Sequence, residues 1–428
     1  MSTTAMPIVR RLGKAALVAV LVYGASQLMP TVAGQGSRSG RNDDTSIRPF
    51  TVSVPDAALK DLHERLVDTR WPDRLVGANW TYGTDIDYLK ALVAHWRDKY
   101  DWRAQERRIN RLPQFKTKID GLDIHFVHKK SPEADAFPII LLHGWPGTFL
   151  EFSKVIDPLS DPRRHGGDPK DAFHVVAVSL PGFGFSERPR NQGHSRDRTA
   201  RISSELMNRL GYKRYGVQGS GDLGSAIGSY MALNDRQNVA GLQLNQCSAP
   251  PPDPRNPNAG LSPDEIKQRQ RSALGPDESG YVGIQSTKPQ TLGYALNDSP
   301  VGQAGWIVEK YQRWCDCQGN PENVFTKDEL LTTVMLYWVT QTATSAARYY
   351  YEGVHMPELP YAPIHERVAV PTGCSAFAGA PEFTPRSWAE KYFNVQRFTS
   401  FSKGGQFPAF EQPDAFTGEM RAFFRAVR

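Results

Sequence analysis

The sequence predicts an α/β protein in which helices cover both faces of a mostly parallel sheet. Three continuous apolar segments, FPIILL, FHVVAVSL and YGVQG, have the composition of buried strands, and amphipathic helical stretches such as TARISSELMNRLG lie between them. Apolar strands that alternate with helices are typical of a parallel sheet enclosed by two helical layers. We therefore expect the reactive residues on loops at the carboxyl ends of the strands.

The chain divides into consecutive segments with different patterns. Residues 47–110 read as a helical N-terminal segment, and a β-hairpin is predicted at Asp120–Gly121, where a period-two pattern surrounds a dipeptide that favours tight hairpin turns. Residues 111–250 hold the first part of the α/β core. A proline-rich break then opens a helical insertion, or lid, at 251–362, and the strand pattern resumes in the second part of the core at 363–428.

The first 46 residues differ from the rest of the chain. Three basic residues precede an apolar run at 15–25, and small residues follow that run. This order of basic, apolar and small residues is that of a secretory signal. We therefore predict a signal peptide at 1–34, export to the periplasm or the medium, and a polar linker at 35–46. The alternative is a membrane anchor that is not cleaved, which the short apolar run disfavours.

The composition narrows the classes of function. The chain has 428 residues and a formal net charge of +6, but its basic residues form no long block, so nothing favours a nucleic acid partner. The four cysteines (Cys247, Cys315, Cys317 and Cys374) have a spacing unlike that of common zinc sites, and no nucleotide motif occurs. We therefore expect no metal and no cofactor, and the sequence leaves the pairing of the cysteines open.

The strongest local motif is QGSGDLGS, which lies between a predicted strand and a predicted helix. Small residues around one reactive side chain permit a sharp strand-to-helix turn that exposes it. They frame Asp222 better than Ser220, since a serine nucleophile here would need glycine at positions 218 and 222. A carboxylate can attack a strained carbon and displace its oxygen. We therefore predict that Asp222 is a nucleophile; the alternative is a cap of the following helix.

The loop HGWPG, residues 143–147, follows another predicted strand. It can present the backbone N–H of Trp145 to the turn at Asp222. Together with the N–H of Leu223, this donor would form an oxyanion hole that stabilises a negatively charged oxygen. We expect His143 to structure the loop rather than to transfer protons.

Several long segments carry a resemblance to a known family. They are RPFTVSVPDAALKDLHERLVDTRWPD, LLHGWPGTFLEF, LPGFGFS, QGSGDLGS, ESGYVGIQSTKPQTLGYALNDSPVG and FPAFEQP. With these segments the chain resembles the microsomal-type epoxide hydrolases over nearly its whole length from Pro49 onwards. The resemblance implies an α/β-hydrolase fold with an N-terminal meander and an inserted helical lid.

The resemblance also implies roles for individual residues. Asp222 matches the family's nucleophile, and Tyr281 and Tyr350 match two lid tyrosines that hold the epoxide oxygen and protonate it. That proton is needed because an alkoxide is a poor leaving group without one. Tyr349, Tyr350 and Tyr351 point about 100° apart on a helix, so only one of them can reach the pocket.

The chain departs from the family at the step that releases product. In the family, a histidine oriented by an acid activates the water that hydrolyses the alkyl-enzyme ester. Here Gln406 stands at the position of the histidine and Ala380 at that of the acid, and Glu382 is a possible substitute acid. An amide accepts no proton near neutral pH. The turn also has one extra residue before Asp222, and Leu223 stands where the family usually has tryptophan.

The predicted function is therefore the opening of a small apolar epoxide by Asp222, with a hydrolytic second step that lacks its base. Two alternatives stay open. One is an epoxide-opening cyclase or isomerase of the same fold, which needs the tyrosines but no activated water. The other is a ligand-binding protein without turnover. Contact with a membrane is expected only through the N-terminal segment.

Overall fold

The structure, a computed structural model, describes residues 44–272, 276–355 and 366–428. Nine strands within these ranges form one sheet. The strands are β1 (Arg48–Pro49), β2 (Gln114–Ile119), β3 (Leu122–Lys129), β4 (Phe137–Leu142), β5 (Phe173–Val178), β6 (Tyr215–Gly219), β7 (Val239–Leu244), β8 (Val368–Phe377) and β9 (Phe393–Phe401). Their order across the sheet is β1-β2-β3-β5-β4-β6-β7-β8-β9.

The helices lie before the sheet, between its strands and after it. They are α1 (Asp56–Val67), α2 (Ile86–Asp98), α3 (Trp102–Ile109), α4 (Ile156–Ser160), α5 (Arg196–Arg209), α6 (Gly221–Asn234), α7 (Pro263–Ser272), α8 (Gly280–Thr287), α9 (Pro289–Asp298), α10 (Pro300–Trp314), α11 (Lys327–Thr340), α12 (Ala343–His355), α13 (Arg386–Tyr392), α14 (Pro408–Glu411) and α15 (Pro413–Val427). Short 3-10 helices lie at Asn79–Tyr82, Phe149–Phe152, Pro162–His165, Pro169–Asp171, Pro276–Ser279 and Pro321–Asn323.

The sheet is mostly parallel, as predicted. Strands β5, β4, β6, β7, β8 and β9 pair in parallel, whereas β1, β2 and β3 add an antiparallel edge. The predicted hairpin joins β2 to β3 through Asp120 and Gly121, whose φ angles are 54° and 77°. Two successive positive φ angles are those of the type I′ turn that matches the twist of hairpin strands.

Helices cover both faces of the sheet, because neighbouring residues of one strand contact different helices. A Cβ added at Gly216 in β6 would lie 2.3 Å from the ring of Phe424 in α15, so α15 packs closely on this face. The next residue, Val217, faces α6, where its Cγ1 would lie 3.2 Å from a Cβ added at Gly228. Since successive side chains of a strand point to opposite faces, α6 and α15 lie on opposite sides of the sheet.

The lid is the helical segment α7–α12, which connects β7 to β8. Its predicted end at residue 362 falls in 356–365, outside the described residues. The predicted signal peptide at 1–34 and most of the linker also lie outside them. In the ranges that the structure describes, no helix is both long enough and apolar enough to cross a membrane.

Two disulfides resolve the pairing that the sequence left open. Cys247, which follows β7, is bonded to Cys374 in the adjacent strand β8. Cys315 and Cys317 are bonded to each other, directly after α10. The first bond ties the segment that leads into the lid to the strand that leaves it, and the second lies beside the loop of Gln406.

Candidate active site

The turn between β6 and α6 presents Asp222 at the carboxyl edge of the sheet. Ser220 is the N-cap of α6, and Gly221 has a φ of +60°, which favours glycine over residues that carry a Cβ. The strained corner of the turn is therefore Gly221, and Asp222 lies one residue further on, in the first turn of the helix. In other turns of this kind, the reactive residue itself has the strained conformation. Here Gly221 has it, because the sequence carries one extra residue before Asp222.

The turn packs tightly against the strand beside it. A Cβ added at Gly224 would lie 2.3 Å from the carbonyl oxygen of Leu142 at the end of β4. Backbone atoms cannot move aside as a flexible side chain can, so the first turn of α6 requires glycine at this position.

We expect Gly224→Ala to lower the free energy of unfolding by about 1–3 kcal/mol, because the new methyl group overlaps a fixed carbonyl. The matched control is Gly418→Ala in α15, where a new Cβ meets nothing within 4 Å. That change should raise stability by up to about 1 kcal/mol, since alanine favours helix. Urea denaturation of both variants measures the difference, and an unchanged Gly224→Ala midpoint would contradict the packing described here.

The carboxylate of Asp222 is held by one oxygen and open at the other. The hydroxyl of Tyr350 donates a hydrogen bond to Oδ2 at 3.2 Å. Oδ1 is buried and has no partner of hydrogen-bonding geometry among the described residues. Burial raises the pKa of this carboxyl, while the charge of Arg196, the N–H of Leu223 and Tyr350 oppose the rise. If Asp222 is the nucleophile that the sequence predicts, Oδ1 is the oxygen that can attack, because it has no such partner.

Arg196 is a residue near Asp222 that sequence reasoning missed. It is the first residue of α5, and a Cβ added at Gly353 in α12 would lie 3.3 Å from its guanidinium carbon. Its positive charge lowers the pKa of Asp222 and so favours the ionised carboxylate. No sequence pattern indicated it, because α5 and α12 are brought together only by the fold.

Aromatic side chains enclose the space beside Asp222. The ring of Tyr281 stacks on Trp145 with a centroid distance of 5.3 Å and an angle of 11°, and it meets Tyr350 edge-on at 5.8 Å. Trp314 closes the group at 5.1 Å from Tyr281. Tyr281 and Tyr350, which the sequence places almost seventy residues apart, thus share one pocket wall with Trp145.

The three consecutive tyrosines of α12 point in different directions, as their spacing requires. Tyr350 bonds Asp222, whereas the hydroxyl of Tyr349 lies 2.9 Å from Thr199 Oγ1 in α5. Tyr351 stacks on His355 on the same helix. Of the three, the structure brings only Tyr350 to the carboxylate. Its role in catalysis stays a prediction.

The two predicted oxyanion donors lie on the HGWPG loop and in the first turn of α6, which contact each other. A Cβ added at Gly144 would lie 3.0 Å from Ser220 O, so the HGWPG loop contacts the turn directly. The N–H of Leu223 lies near enough to lower the pKa of Asp222. Within the described ranges, the N–H of Trp145 donates no hydrogen bond to another backbone group. Both donors stay predictions of a role.

Gln406 lies against the turn that carries Asp222. The residue is 7% exposed, and its Nε2 would lie 2.8 Å from a Cβ added at Gly221. The preceding Gly404 has a φ of +100°, so the double glycine does form the sharp turn that aims this side chain. An amide therefore occupies the place beside the nucleophile where a histidine was expected from the resemblance.

A buried acid clamps the loop of Gln406. Glu411 accepts hydrogen bonds at 2.9 Å from the N–H groups of Gly405, Phe407 and Asp316. Burial raises its pKa to about 7, although these three donors oppose the rise. Asp316 in turn accepts from the N–H of Gly404 at 2.9 Å. Since three backbone N–H groups bond this carboxylate, it holds the loop of Gln406 in place.

Ala380 and Glu382 lie on the neighbouring loop after β8. The N–H of Gly379 donates to Gly404 O at 2.9 Å, so this loop touches that of Gln406. Glu382 accepts a hydrogen bond from Gln246, and no bond to Gln406 is present in the described part of the chain. Loss of surrounding water raises the pKa of Glu382, and the charge of Asp222 adds to this rise.

Comparison with known proteins agrees with this architecture. The model of the epoxide hydrolase N terminus matches residues 47–152, and that of the alpha/beta hydrolase fold matches residues 138–280. Epoxide hydrolase 1 of Sus scrofa is 40% identical over 420 residues, which cover 91% of each protein. The chain belongs to the epoxide hydrolase family. The members of this family are hydrolases that act on the ether bond of an epoxide, and the predicted α/β-hydrolase fold is confirmed.

Solved structures of epoxide hydrolases have the same architecture. The juvenile hormone epoxide hydrolase of the silkworm Bombyx mori superposes with a TM-score of 0.77 at 30% identity, covering 90% of this chain and 95% of that one. The epoxide hydrolase of Aspergillus niger superposes with a TM-score of 0.79 at 33% identity, covering 90% and 98%. The N-terminal family match extends to residue 152 and thus includes β2–β4, beyond the boundary at 110 drawn from the sequence.

Two further polar residues of this epoxide hydrolase homologue lie beneath the turn. His143 is fully buried; its Nε2 accepts the N–H of Leu180 at 3.3 Å, so Nδ1 carries the proton and donates to Gly144 O at 3.0 Å. Burial lowers the pKa of His143 to about 4. A neutral imidazole engaged on both sides braces the loop, in agreement with the expectation. Ser220 is also fully buried, and its Oγ accepts from Asn245 at 2.9 Å, which leaves it no route to a substrate.

Glu151 is a buried acid that sequence reasoning missed. It lies in the 3-10 helix Phe149–Phe152, is 5% exposed, and its Oε1 has no hydrogen-bond partner among the described residues. Burial raises its pKa to about 8, and the hydrogen bond from Ser220 opposes the rise. An acid inside the apolar stretch TFLEF was the sequence pattern that could have indicated it.

We expect Glu151→Gln to make the protein more stable at alkaline pH. Because the folded pKa of Glu151 is raised to about 8 from the usual 4.5, folding holds a proton that the unfolded chain releases. The free energy of unfolding therefore falls as the pH rises from about 4.5 to about 8, and it stays at the lower value at higher pH. Urea unfolding at about pH 5 and about pH 9 should show this slope in the wild type and a smaller slope in the variant. The exposed Glu366→Gln is the control, and an equal slope in all three proteins would contradict the assignment.

Proposed function

We propose that this protein opens the ring of a small apolar epoxide and is alkylated on Asp222 as it does so. The observation that carries the proposal is the hydrogen bond from Tyr350 to Asp222 Oδ2, with Oδ1 left open and the ring of Tyr281 in edge-on contact with that of Tyr350. This arrangement brings a nucleophile and two proton donors to one aromatic wall, formed by Trp145, Tyr281, Trp314 and Tyr350. That wall favours an apolar substrate, because it offers ring faces rather than charges.

The ring-opening step needs only groups that face this pocket. Asp222 Oδ1 attacks one epoxide carbon, and the bond between that carbon and the epoxide oxygen breaks with its electron pair on oxygen. Tyr281 or Tyr350 gives its hydroxyl proton to this oxygen, which leaves a hydroxyalkyl ester on Asp222 and one tyrosinate. The N–H groups of Trp145 and Leu223 supply hydrogen bonds to the ester carbonyl oxygen.

The hydrolytic step lacks a proton acceptor at the expected place. Hydrolysis adds water to the ester carbon and must remove one proton from that water. Gln406 can hold a water by hydrogen bonds, but its amide accepts no proton near neutral pH. The loss of a general base costs about 10²–10⁴-fold in rate. We therefore infer that the ester forms faster than it breaks down and accumulates.

Incubation with styrene oxide followed by intact-mass measurement tests the proposal. We expect a mass increase of one epoxide per chain, with diol released much more slowly. Tyr281→Phe combined with Tyr350→Phe should slow this adduct by about 10²-fold or more, since the alkoxide then leaves without a proton. Tyr349→Phe and Tyr351→Phe are matched controls on the same helix, and they should alkylate at the wild-type rate.

The same measurement separates the other functions that Gln406 and Ala380 favour. Consumption of epoxide without an adduct or diol would indicate a cyclase or isomerase of this fold. No consumption and no adduct, even with varied epoxides, would indicate a protein that only binds its ligand. Diol release without any adduct burst would contradict the slow second step.

A further inference from the structure

We infer that Lys310, a buried lysine in the lid, is a positioning residue that makes Tyr281 a stronger acid for ring opening. This inference rests on the proposed function of Tyr281 and adds to it a charge that acts through the tyrosine. No part of the ring-opening scheme above uses this residue.

The side chain of Lys310 lies over the ring of Tyr281. Its Nζ is 4.8 Å from the ring centroid of Tyr281, 5.8 Å from that of Trp314 and 6.0 Å from that of Trp306. The residue is only 4% exposed. Burial costs an ammonium group its hydration, and a lysine is therefore rarely this deeply buried unless it is paired.

The sequence of α10 explains the position. Trp306, Lys310 and Trp314 are spaced four residues apart, so they lie on one face of the helix, and Trp314 is part of the aromatic wall of the active site. The neighbouring Glu309 supplies the counter-charge, with its Oε2 2.5 Å from Nζ. The two tryptophans flank the ammonium group from the same helix, and the ring of Tyr281 in α8 lies against it.

The charge acts on the state that Tyr281 reaches after proton transfer. When Tyr281 gives its proton to the epoxide oxygen, its ring becomes a phenolate with negative charge spread over oxygen and ring carbons. A cation held a few ångströms away in a site with little water stabilises that phenolate more than the neutral phenol. The transition state of ring opening shares part of this stabilisation, because the proton is already in transfer.

Other charged groups near Tyr281 must be set apart from Lys310. Tyr350 of α12 meets the ring of Tyr281 and bonds Asp222 of α6, while Glu309 pairs with Lys310 on their own helix. A further ion pair joins Glu278, three residues before Tyr281 in the chain, to Arg313, three residues after Lys310. An experiment that changes only the charge at position 310 or its counter-ion keeps all the others constant.

The test measures the rate of the Asp222 adduct as a function of pH in Lys310→Met, which keeps the length of the side chain and removes its charge. In a Tyr350→Phe background Tyr281 is the remaining acid, and the variant should alkylate roughly three- to tenfold more slowly than that background. The alkaline limb of its pH profile should move up by about one pH unit. Lys310→Arg should restore most of both effects.

Two further variants make the result specific. In a Tyr281→Phe background, Lys310→Met should change the rate little, whereas a lysine that only supports packing would affect both backgrounds equally. Glu309→Gln leaves Lys310 in place and removes its counter-charge, so it should move the alkaline limb in the opposite direction, to lower pH. This second change keeps the inference testable if Lys310→Met does not fold.

Failure of the inference is distinguishable from failure of the proposed function. If the wild type forms no adduct on Asp222, the proposed function is wrong. The effect of Lys310 on Tyr281 is then measured separately, because the ultraviolet difference spectrum between each protein and its Tyr281→Phe counterpart reports the ionisation of Tyr281. If the adduct forms and Lys310→Met shifts neither the rate nor the alkaline limb, or shifts both equally without Tyr281, the inference is overturned.

Discussion

Asp222→Asn is expected to abolish the covalent adduct, with a loss of about 10³-fold or more in the rate of epoxide consumption. The amide has the same shape and can still accept the hydrogen bond of Tyr350, which is 3.2 Å long in the wild type. It lacks the negative charge that attacks the strained carbon, so the fold and the pocket persist while the nucleophile is lost. Peptide mapping after incubation with styrene oxide measures the loss directly.

The control for this experiment is another buried carboxylate changed in the same way. Asp197 in α5 accepts a hydrogen bond from Asn234 at 2.7 Å and forms an ion pair with Arg201, so its carboxylate already has partners of its own. Asp197→Asn should leave the labelling of Asp222 unchanged in any molecules that fold, as checked by circular dichroism. A label found on Glu382, or an adduct that persists in Asp222→Asn, would show that another carboxylate in the cleft is the nucleophile.

Gln406→His combined with Ala380→Glu is expected to raise diol release by about 10²–10⁴-fold over the wild type. The two positions lie on loops joined by the hydrogen bond from Gly379 N–H to Gly404 O, so a new carboxylate at 380 starts beside a new imidazole at 406. Each single change should do much less, because an imidazole without a partner is poorly oriented and a carboxylate without the imidazole has nothing to orient.

Burst kinetics locate the gain. The rate constant of ring opening should stay constant, whereas the steady rate should rise and the burst should shrink as ester breakdown approaches ring opening in rate, since only ester breakdown has acquired a base. Gln406→Asn with Ala380→Gln is a control that changes both loops without adding a base or a charge. If Gln406→His alone matches the double variant, Glu382 supplies the orienting carboxylate; if the wild type already matches it, a missing base was not limiting.

The fold was accessible from the sequence because its evidence is local and repeated. Apolar strands, helices and turn dipeptides each leave a short pattern, and the hairpin at Asp120–Gly121 forms where its turn residues predict it. The double glycine before Gln406 and the small residues around Asp222 likewise report backbone conformations that only such residues allow. Each of these patterns depends on neighbours in the chain, so a sequence can show it.

The same distinction between local patterns and long-range contacts applies to the candidate site. The residues of the turn at Asp222, the amide at Gln406 and the methyl group at Ala380 can be read from the chain, and together with the family resemblance they predicted a site with a nucleophile and no base. Contacts between distant segments decide which oxygen of Asp222 is open and which of the three tyrosines meets it. They also bring Arg196 near Asp222, Glu151 near Ser220 and Lys310 over Tyr281. Those contacts set burial and the electric field, which act through space and not along the chain, and therefore only the tertiary structure could decide them.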